Sequence, residues 1–492
     1  MSAGATARAA TPSARSMLLP LALAQFIASY ACTNMNVAVT AIAKDLGTTV
    51  IGVQTAITLF TLTMAALMIP GSKLTDIWGR KRCFTIGLVV YGIGGLLAAL
   101  APSLGVMVIG YSLLEGIGSA LMIPPIYILV TVLTTDVSQR ARAFGVISGA
   151  AGFGAAAGPL IGGLITSFTS WRASFILQVL VVAWIVLLSR RIVDPAQEGA
   201  RPRFDVAGAV LSAAGLFFVV LGILQSNTFG WFVSREDFAI GGVVLIPKGG
   251  ISPVWIFVAI GLLILAWFYL HLRRRERARR EPLLSTSLFR NRTSNLGLVT
   301  QCIQWLVMQG SFFVISVYLQ TVHGFNAIQT GLALTPATAG ILLASAAAGR
   351  MASRRSQRLL VRVGFLSTVG GMVLLLLLSN VTEGIFTLVP GLLLMGLGVG
   401  IMLTASVNVV QSSFPESEQG EISGLSRSVS NLGSSLGTAI VGSVLVAAQT
   451  RGDAPFAWSL LTVVLIGLIG LGAAMLLPAG PIVAAQPKRE LT

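Results

Sequence analysis

The chain has 492 residues, 55% of them hydrophobic and only 10% charged, against roughly 25% charged in ordinary soluble domains. That composition excludes a soluble globular enzyme. The formal charge of +16 would point to nucleic acid if the basic residues clustered on one face of a soluble domain. They sit instead in short stretches between apolar runs, which excludes nucleic acid as the partner and makes the lipid bilayer the solvent.

The first apolar run, "SMLLPLALAQFIASYACTNMNVAVTAIA", continues to about Ala43. It is too long for the 7 to 15 apolar residues of a cleaved leader and suits a spanning helix. Further runs start near residues 51, 84, 105, 144, 173, 206, 252, 295, 328, 363, 385, 421 and 456. With the first, near residue 17, they make fourteen spans and an all-α, polytopic membrane fold with both termini on one side. If that side is the cytoplasm, 27 of the 33 basic residues fall in inner segments and 5 in outer loops, a strong positive-inside bias. The excess of Arg (28) over Lys (5) reads as the coding bias of a GC-rich bacterium, so the expected location is the bacterial inner (cell) membrane. Cys32, Cys83 and Cys302 are odd in number and lie in or beside spans, so neither a disulfide framework nor a metal site is expected.

The stretch 226–251 between spans seven and eight contains an apolar run too short to cross, ended by Pro247 and two glycines, and reads as a small external hairpin or a lipid-dipped loop. The basic stretch "HLRRRERARREPLLSTSLFRNR" is either a plain topology anchor or an amphipathic segment on the anionic inner leaflet. The expected organisation is a cytoplasmic tail 1–16, a six-helix bundle 17–192, a linker 193–204, and an inserted helix pair 205–272. A basic linker 273–294, a second six-helix bundle 295–478 and a tail 479–492 complete it.

The two bundles look like copies of one another. "GSKLTDIWGRKR" between spans two and three has a worn counterpart, "GRMASRRSQR", between spans ten and eleven, with Ser353 in the place of Asp76. "GAAAGPLIGG" in the fifth span matches "GSSLGTAIVG" in the thirteenth. On these motifs the chain resembles a major facilitator superfamily transporter of the fourteen-helix drug:proton antiporter family (multidrug efflux type). "GSKLTDIWGRKR" resembles the superfamily's inner-loop signature, departing at Ser72 and Ile77, and "GAAAGPLIGG" resembles the antiporter signature of the fifth helix. "SWRASFILQV", "FDVAGAVLSAAGLFFVVLGI", "EPLLSTSLFRNRT", "YLQTVHGFNAIQTGLALTP" and "GEISGLSRSVSNLGSSLGTAIVG" resemble further family segments in the right order, over nearly the whole chain.

The resemblance implies a pseudo-twofold pair of bundles, and a latch on the inner side formed by Asp76, Gly79, Arg80 and Arg82. It also implies an exporter-specific bend in the helix holding Gly154, Gly158, Pro159, Gly162 and Gly163. The residues support both physically. An acid among bases adds nothing to positive-inside sorting, and a glycine row lets helices in lipid approach closely while proline removes a backbone bond.

Within "YSLLEGIGSALMIPP" stands Glu115, about ten residues from the outer end of span four and therefore near mid-membrane at roughly 1.5 Å per residue. An ionised carboxylate there costs at least ~2.5 to 3.5 kcal/mol. It must face water, pair with a partner or carry a proton, so Glu115 is the candidate proton-coupling group. The family's usual arginine in helix four and acid in helix one are replaced here by Ser112 and Ala31. Candidate substrate-cavity groups are uncharged: Tyr30, Asn34 and Asn36 with Thr33 on span one; Gln54 on span two; Gln301, Gln304, Trp305 and Gln309 on span nine; Asn408 and Asn431 on spans twelve and thirteen. Arg427 is expected to snorkel to the inner surface.

Such a cavity suits a small amphipathic organic substrate. The expectation is a secondary active exporter of drugs, toxins or natural products, working as a monomer without a cofactor and drawing on a proton gradient. The same fold without coupling, a facilitator or a lipid or fatty-acyl flippase, is the first alternative. A membrane sensor is the second. An enzyme comes last, since neither paired acids nor a nucleophile with a base is visible.

Overall fold

The computed structural model describes residues 14–133, 137–190, 192, 203–240, 243–352, 355–378, 385–414, 418–449 and 454–478. Residues 1–13 of the expected first tail, the second tail, most of the linker 193–204, and Ser353 of the second motif copy lie outside the described residues, whereas residues 14–16, expected in the tail, already belong to the first helix. Thirteen of the described helices are long and apolar enough to span a membrane, and a bent pair makes the fourteenth.

The first bundle contains α1 (Ala14–Asp45), α2 (Val50–Trp78) and α3 (Arg80–Ala99). Its α4 runs from Leu104–Met107 through a π-helical stretch, Val108–Glu115, into Gly116–Leu133. It closes with α5 (Val137–Phe168) and α6 (Trp171–Ser189). The inserted pair is α7 (Val206–Phe229) and α8 (Pro253–Arg277). The second bundle holds α9 (Arg292–Thr321), the bent α10 (Ala327–Ala333 and Thr335–Ala352), α11 (Gln357–Leu378), α12 (Val389–Gln411), α13 (Gln419–Gln449) and α14 (Pro455–Met475). The bend in α10 is 44°, and it falls beside Pro336, which cannot donate to the preceding turn and disfavours helix at the residue before it.

Helix starts follow local chemistry. Thr49, Ser170, Ser252 and Asn291 each accept a bond from the first free N–H groups of their helices, and Asn326 with Gln329 forms a capping box. "SWRASFILQV" works as a clamp. Asp45 at the end of α1 accepts from Trp171 Nε1 at 3.0 Å and pairs with Arg172, whose guanidinium lies 4.3 Å from the Trp171 ring centre.

The packing is pseudo-twofold. In the first half α1 lies on α5, α3 on α4 and α6, and α2 on α4; in the second, α9 lies on α13, α11 on α12 and α14, and α10 on α12. The halves meet along two equivalent seams, α2 with α13 and α5 with α10. Among the described residues, the inserted pair packs on the first seam. α7 packs on both α2 and α13 through Leu62, Leu216, Val220, Ile223, Leu224 and Ala439.

The stretch between α7 and α8 contains two antiparallel strands, β1 (Phe238–Ile240) with β2 (Val243–Ile246), as the hairpin reading expects, and Val243, Val244 and Leu245 are exposed. Part of the basic linker packs on protein. Leu283, Leu284 and Leu288 are buried among Ile69, Phe268, Leu272 and Ile422, because the arginines occupy the end of α8 while the "PLLSTSLF" part has an apolar protein surface within reach. Asp205 secures the same region: it caps α7 at Gly208 N (3.0 Å) and receives His271 Nε2 (3.0 Å) and Arg275 Nε (3.4 Å) from α8.

Candidate functional site

A small cavity lies between the halves. α1 contributes Gln25, Ser29, Cys32 and Thr33. Trp305 of α9, with Arg427, Ser430 and Asn431 of α13, faces them. Towards the end carrying the α1–α2 turn, which the charge bias assigns to the outside, three bonds across the halves close it. Gln309 Nε2 donates to Cys32 O (2.9 Å), Gln320 Nε2 to Asn36 O (3.1 Å), and Thr40 Oγ1 to Gln320 Oε1 (2.6 Å). A larger apolar cavity behind Tyr318 and Phe456 lies within the second half, away from this interface.

Of the amides and aromatics expected to line a substrate cavity, Trp305 lines this small cavity, together with Thr33 and Asn431. Most of the others are drawn into helix contacts. Tyr30 and Asn34 both bond Ser174 of α6, at 2.6 and 2.8 Å. Asn36 is fully buried, with no side-chain partner among the described residues. Gln54 donates across the α2–α13 seam to Thr438 O (2.7 Å), as Ser435 does to Thr58 O (3.0 Å). Gln301 bonds Ser430 and Ser426, and Gln304 pairs with Ser406 at 2.6 Å, all within the second half. Asn408 is half-buried on α12. Arg427 does not snorkel to the surface: it lines the cavity and stacks on Tyr127 of α4.

Glu115 lies behind the cavity, inside the first half, and is 0% exposed. It is the last residue of the π-helical stretch, a wide-turn geometry frequent at functional sites. Its carboxyl group occupies a slot against α3 that exists because position 95 is glycine: a Cβ on Gly95 would stand 2.9 Å from Oε1. Neither carboxyl oxygen has a hydrogen-bond partner among the described residues. Tyr91 lies beside it, but its hydroxyl donates to Gln178 Oε1 at 2.6 Å. Ser174 and Gln178, four apart on one face of α6, lie between two pairs of groups. One pair is Tyr30 and Asn34, next to the cavity; the other is Tyr91 and Glu115. All of these side chains are buried.

The glycine row of α5 faces two ways. Cβ atoms on Gly154, Gly158 and Gly162 would collide with Phe26 O, Thr33 and Asn34 of α1. Gly163 faces Ala327 O, and Pro159 O faces Gly331 of α10, where Thr338 Oγ1 also donates to Ala156 O (3.0 Å). One motif thus packs both the first bundle and a seam between bundles.

The signature "GSKLTDIWGRKR" is not a loop: α2 continues to Trp78, Gly79 makes the turn at φ +98°, and α3 begins at Arg80. Nothing before Gly79 breaks the helix, so the motif is helix end, turn and helix start. Asp76 is half-buried with Lys73, Arg80 and Glu421 as its charged neighbours, and Arg82 is exposed. The motif's charged contact across the seam is made by Lys73, whose Nζ lies 3.7 Å from Glu421 Oε1; Oε2 of the same carboxylate accepts from Ser285 N at 2.9 Å. Glu421 therefore joins α2, α13 and the linker after α8. The partly exposed pair contributes up to about 1 kcal/mol, or roughly fivefold in an opening equilibrium. Glu421→Ala is expected to raise the alkylation rate of a cysteine at Ser72, which is buried in this seam, by about that factor in a background lacking the native cysteines. An unchanged rate means the contact does not hold the seam.

These features coincide with the comparisons to known proteins. The Major Facilitator Superfamily matches residues 21–244 and 238–438. The chain belongs to this superfamily. Among its relatives are the tetracenomycin C resistance and export protein of Streptomyces glaucescens, 29% identical over 90% of this chain and 78% of that one. The puromycin resistance protein of Streptomyces alboniger is 27% identical over 87% and 81%, and the probable actinorhodin transporter of Streptomyces coelicolor 28% over 84% and 69%. A crystal structure of the peptide transporter POT in complex with sulfate shares the fold, with a TM-score of 0.65 at 15% identity over 93% of this chain and 94% of that one. The superfamily and its multidrug efflux type, expected from the motifs, are borne out by these relatives.

Proposed function

We propose that this superfamily member is a secondary active exporter of amphipathic organic molecules, set in the bacterial cell membrane with both termini cytoplasmic. The observation that carries the reading is the cavity between the two halves, lined by Trp305 and by hydroxyl and amide groups, in a chain whose relatives are named for antibiotic resistance and export. A mid-membrane site between two repeats suits rocking of one bundle against the other, with the α2–α13 and α5–α10 seams as the surfaces that part.

Proton coupling through Glu115 is part of the proposal. With the neighbouring Tyr91 hydroxyl donating to Gln178 and no ion-pair partner for the carboxyl among the described residues, this packing favours the neutral form. Ionisation would require water or a new partner, so proton loss at Glu115 and rearrangement of the α3–α4–α6 slot occur together. Cells expressing the protein should tolerate at least about fourfold more of an aromatic antibiotic than vector controls, and a protonophore should restore accumulation. An uncoupled carrier is the second reading, favoured by Ala31 and Ser112 standing where coupled members carry an acid and an arginine. Resistance that survives the protonophore would select it.

A further inference from the structure

Among the described groups lining the central cavity, one carries a formal charge, and it is positive. Arg427 sits two turns into α13. Its guanidinium carbon lies 4.9 Å from the Tyr127 ring centre, and it donates to the Tyr127 hydroxyl, which donates in turn to Gln25 Oε1 at 3.3 Å. These contacts fix the guanidinium without neutralising it. No carboxylate lies within ion-pair distance of Arg427 among the described residues. The acid nearest in sequence, Glu421, is already held by Lys73 and Ser285, and Glu115 is fully buried in its slot against Gly95 and does not line the cavity.

A guanidinium has five N–H donors in a planar fork, and Tyr127 takes one of them and one face. The remaining donors match a two-oxygen acceptor. Around them Ser29, Thr33, Ser430 and Asn431 are neutral hydrogen-bonding groups, and Trp305 supplies a flat apolar surface. A cationic cargo would meet an unpaired like charge in a confined space, while an anionic one would supply the partner that the protein itself withholds.

We propose that the cavity selects organic anions, an aromatic or polycyclic body bearing a carboxylate, sulfonate or acidic phenol, and that Arg427 is the charge-selecting residue. This rests on the reading of the protein as an exporter of amphipathic molecules.

Fluorescein and rhodamine 123, xanthene dyes of similar size and opposite charge, provide the test. Each is titrated by fluorescence anisotropy against purified protein in nanodiscs, as wild type, R427K and R427Q. The wild type should bind fluorescein at least about tenfold more tightly than rhodamine 123, the discrimination expected of one charge-assisted contact. R427K should keep part of that preference, because it keeps the charge and loses the fork. R427Q should lose it while still binding rhodamine 123. Equal affinity of the wild type for the two dyes, or a preference for rhodamine 123, overturns the proposal, as does a preference unchanged in R427Q. Dye movement in proteoliposomes separates this from the exporter reading. Transport of both dyes without charge preference contradicts the anion assignment alone, and charge-selective binding with no movement of either dye upholds the assignment and contradicts export.

Discussion

Glu115→Gln is expected to reduce pH-gradient-driven transport by at least about tenfold while leaving substrate affinity and thermal stability near those of the wild type. Glutamine has nearly the shape of the neutral acid, so the slot between α3, α4 and α6 should fill as before, and exchanging one poorly partnered polar group for another costs about 1 kcal/mol or less. What the variant cannot do is release a proton. An effect on stability of several kcal/mol, with coupling intact in the folded fraction, would instead make Glu115 a packing element. Glu115→Asp keeps the titrating group but withdraws it by one methylene, and should retain partial coupling. Gly95→Ala should behave as a weaker form of Glu115→Gln, since the added methyl occupies space beside Oε1.

Gly154→Leu is expected to destroy the fold of the first bundle. The new side chain would be driven into the backbone carbonyl of Phe26 on α1, an atom that cannot rotate away, so the cost is about 3 kcal/mol or more, at the upper end of overpacking in a dense interior. The expected outcome is little or no monodisperse protein after extraction. Gly149 provides the control on the same helix: nothing lies within 4 Å of a Cβ built there, and Gly149→Leu should be recovered at wild-type yield. Equal behaviour of the two variants would mean that α1 and α5 are not held at the distance described.

The fourteen spans and the matched halves could be read from the chain because in lipid every span must carry its own apolar run, and the paired motifs mark equivalent helices. The close-packing role of Gly154, Gly158 and Gly162 was visible for the same reason: small residues four apart have few other uses in a spanning helix. Which polar groups reach the cavity was not visible. Tyr30 and Asn34 share α1 with Thr33, yet they turn to Ser174 while Thr33 lines the cavity, and helical period says nothing about what stands opposite. Which of facing water, pairing or carrying a proton applies to Glu115 is likewise not legible in the chain, for another reason. The π-helical turns before it shift the face of α4 by about one residue, and α3 carries glycines where the carboxyl enters. A long cationic side chain near a helix end usually snorkels, but a tyrosine 300 residues away in sequence holds Arg427 inward instead. The buried leucines of the linker escaped notice because the adjacent arginines dominate its composition.

The most direct test of the account is the lumenal pH of proteoliposomes holding purified protein and a pH-sensitive dye, followed after a substrate gradient is imposed with no initial pH difference. The account predicts proton movement opposite to substrate, on the time course of substrate flux, in the wild type, and substrate-dependent proton movement at background in Glu115→Gln. Substrate movement by the wild type with no change in lumenal pH, or proton movement equal in the two proteins, would contradict it.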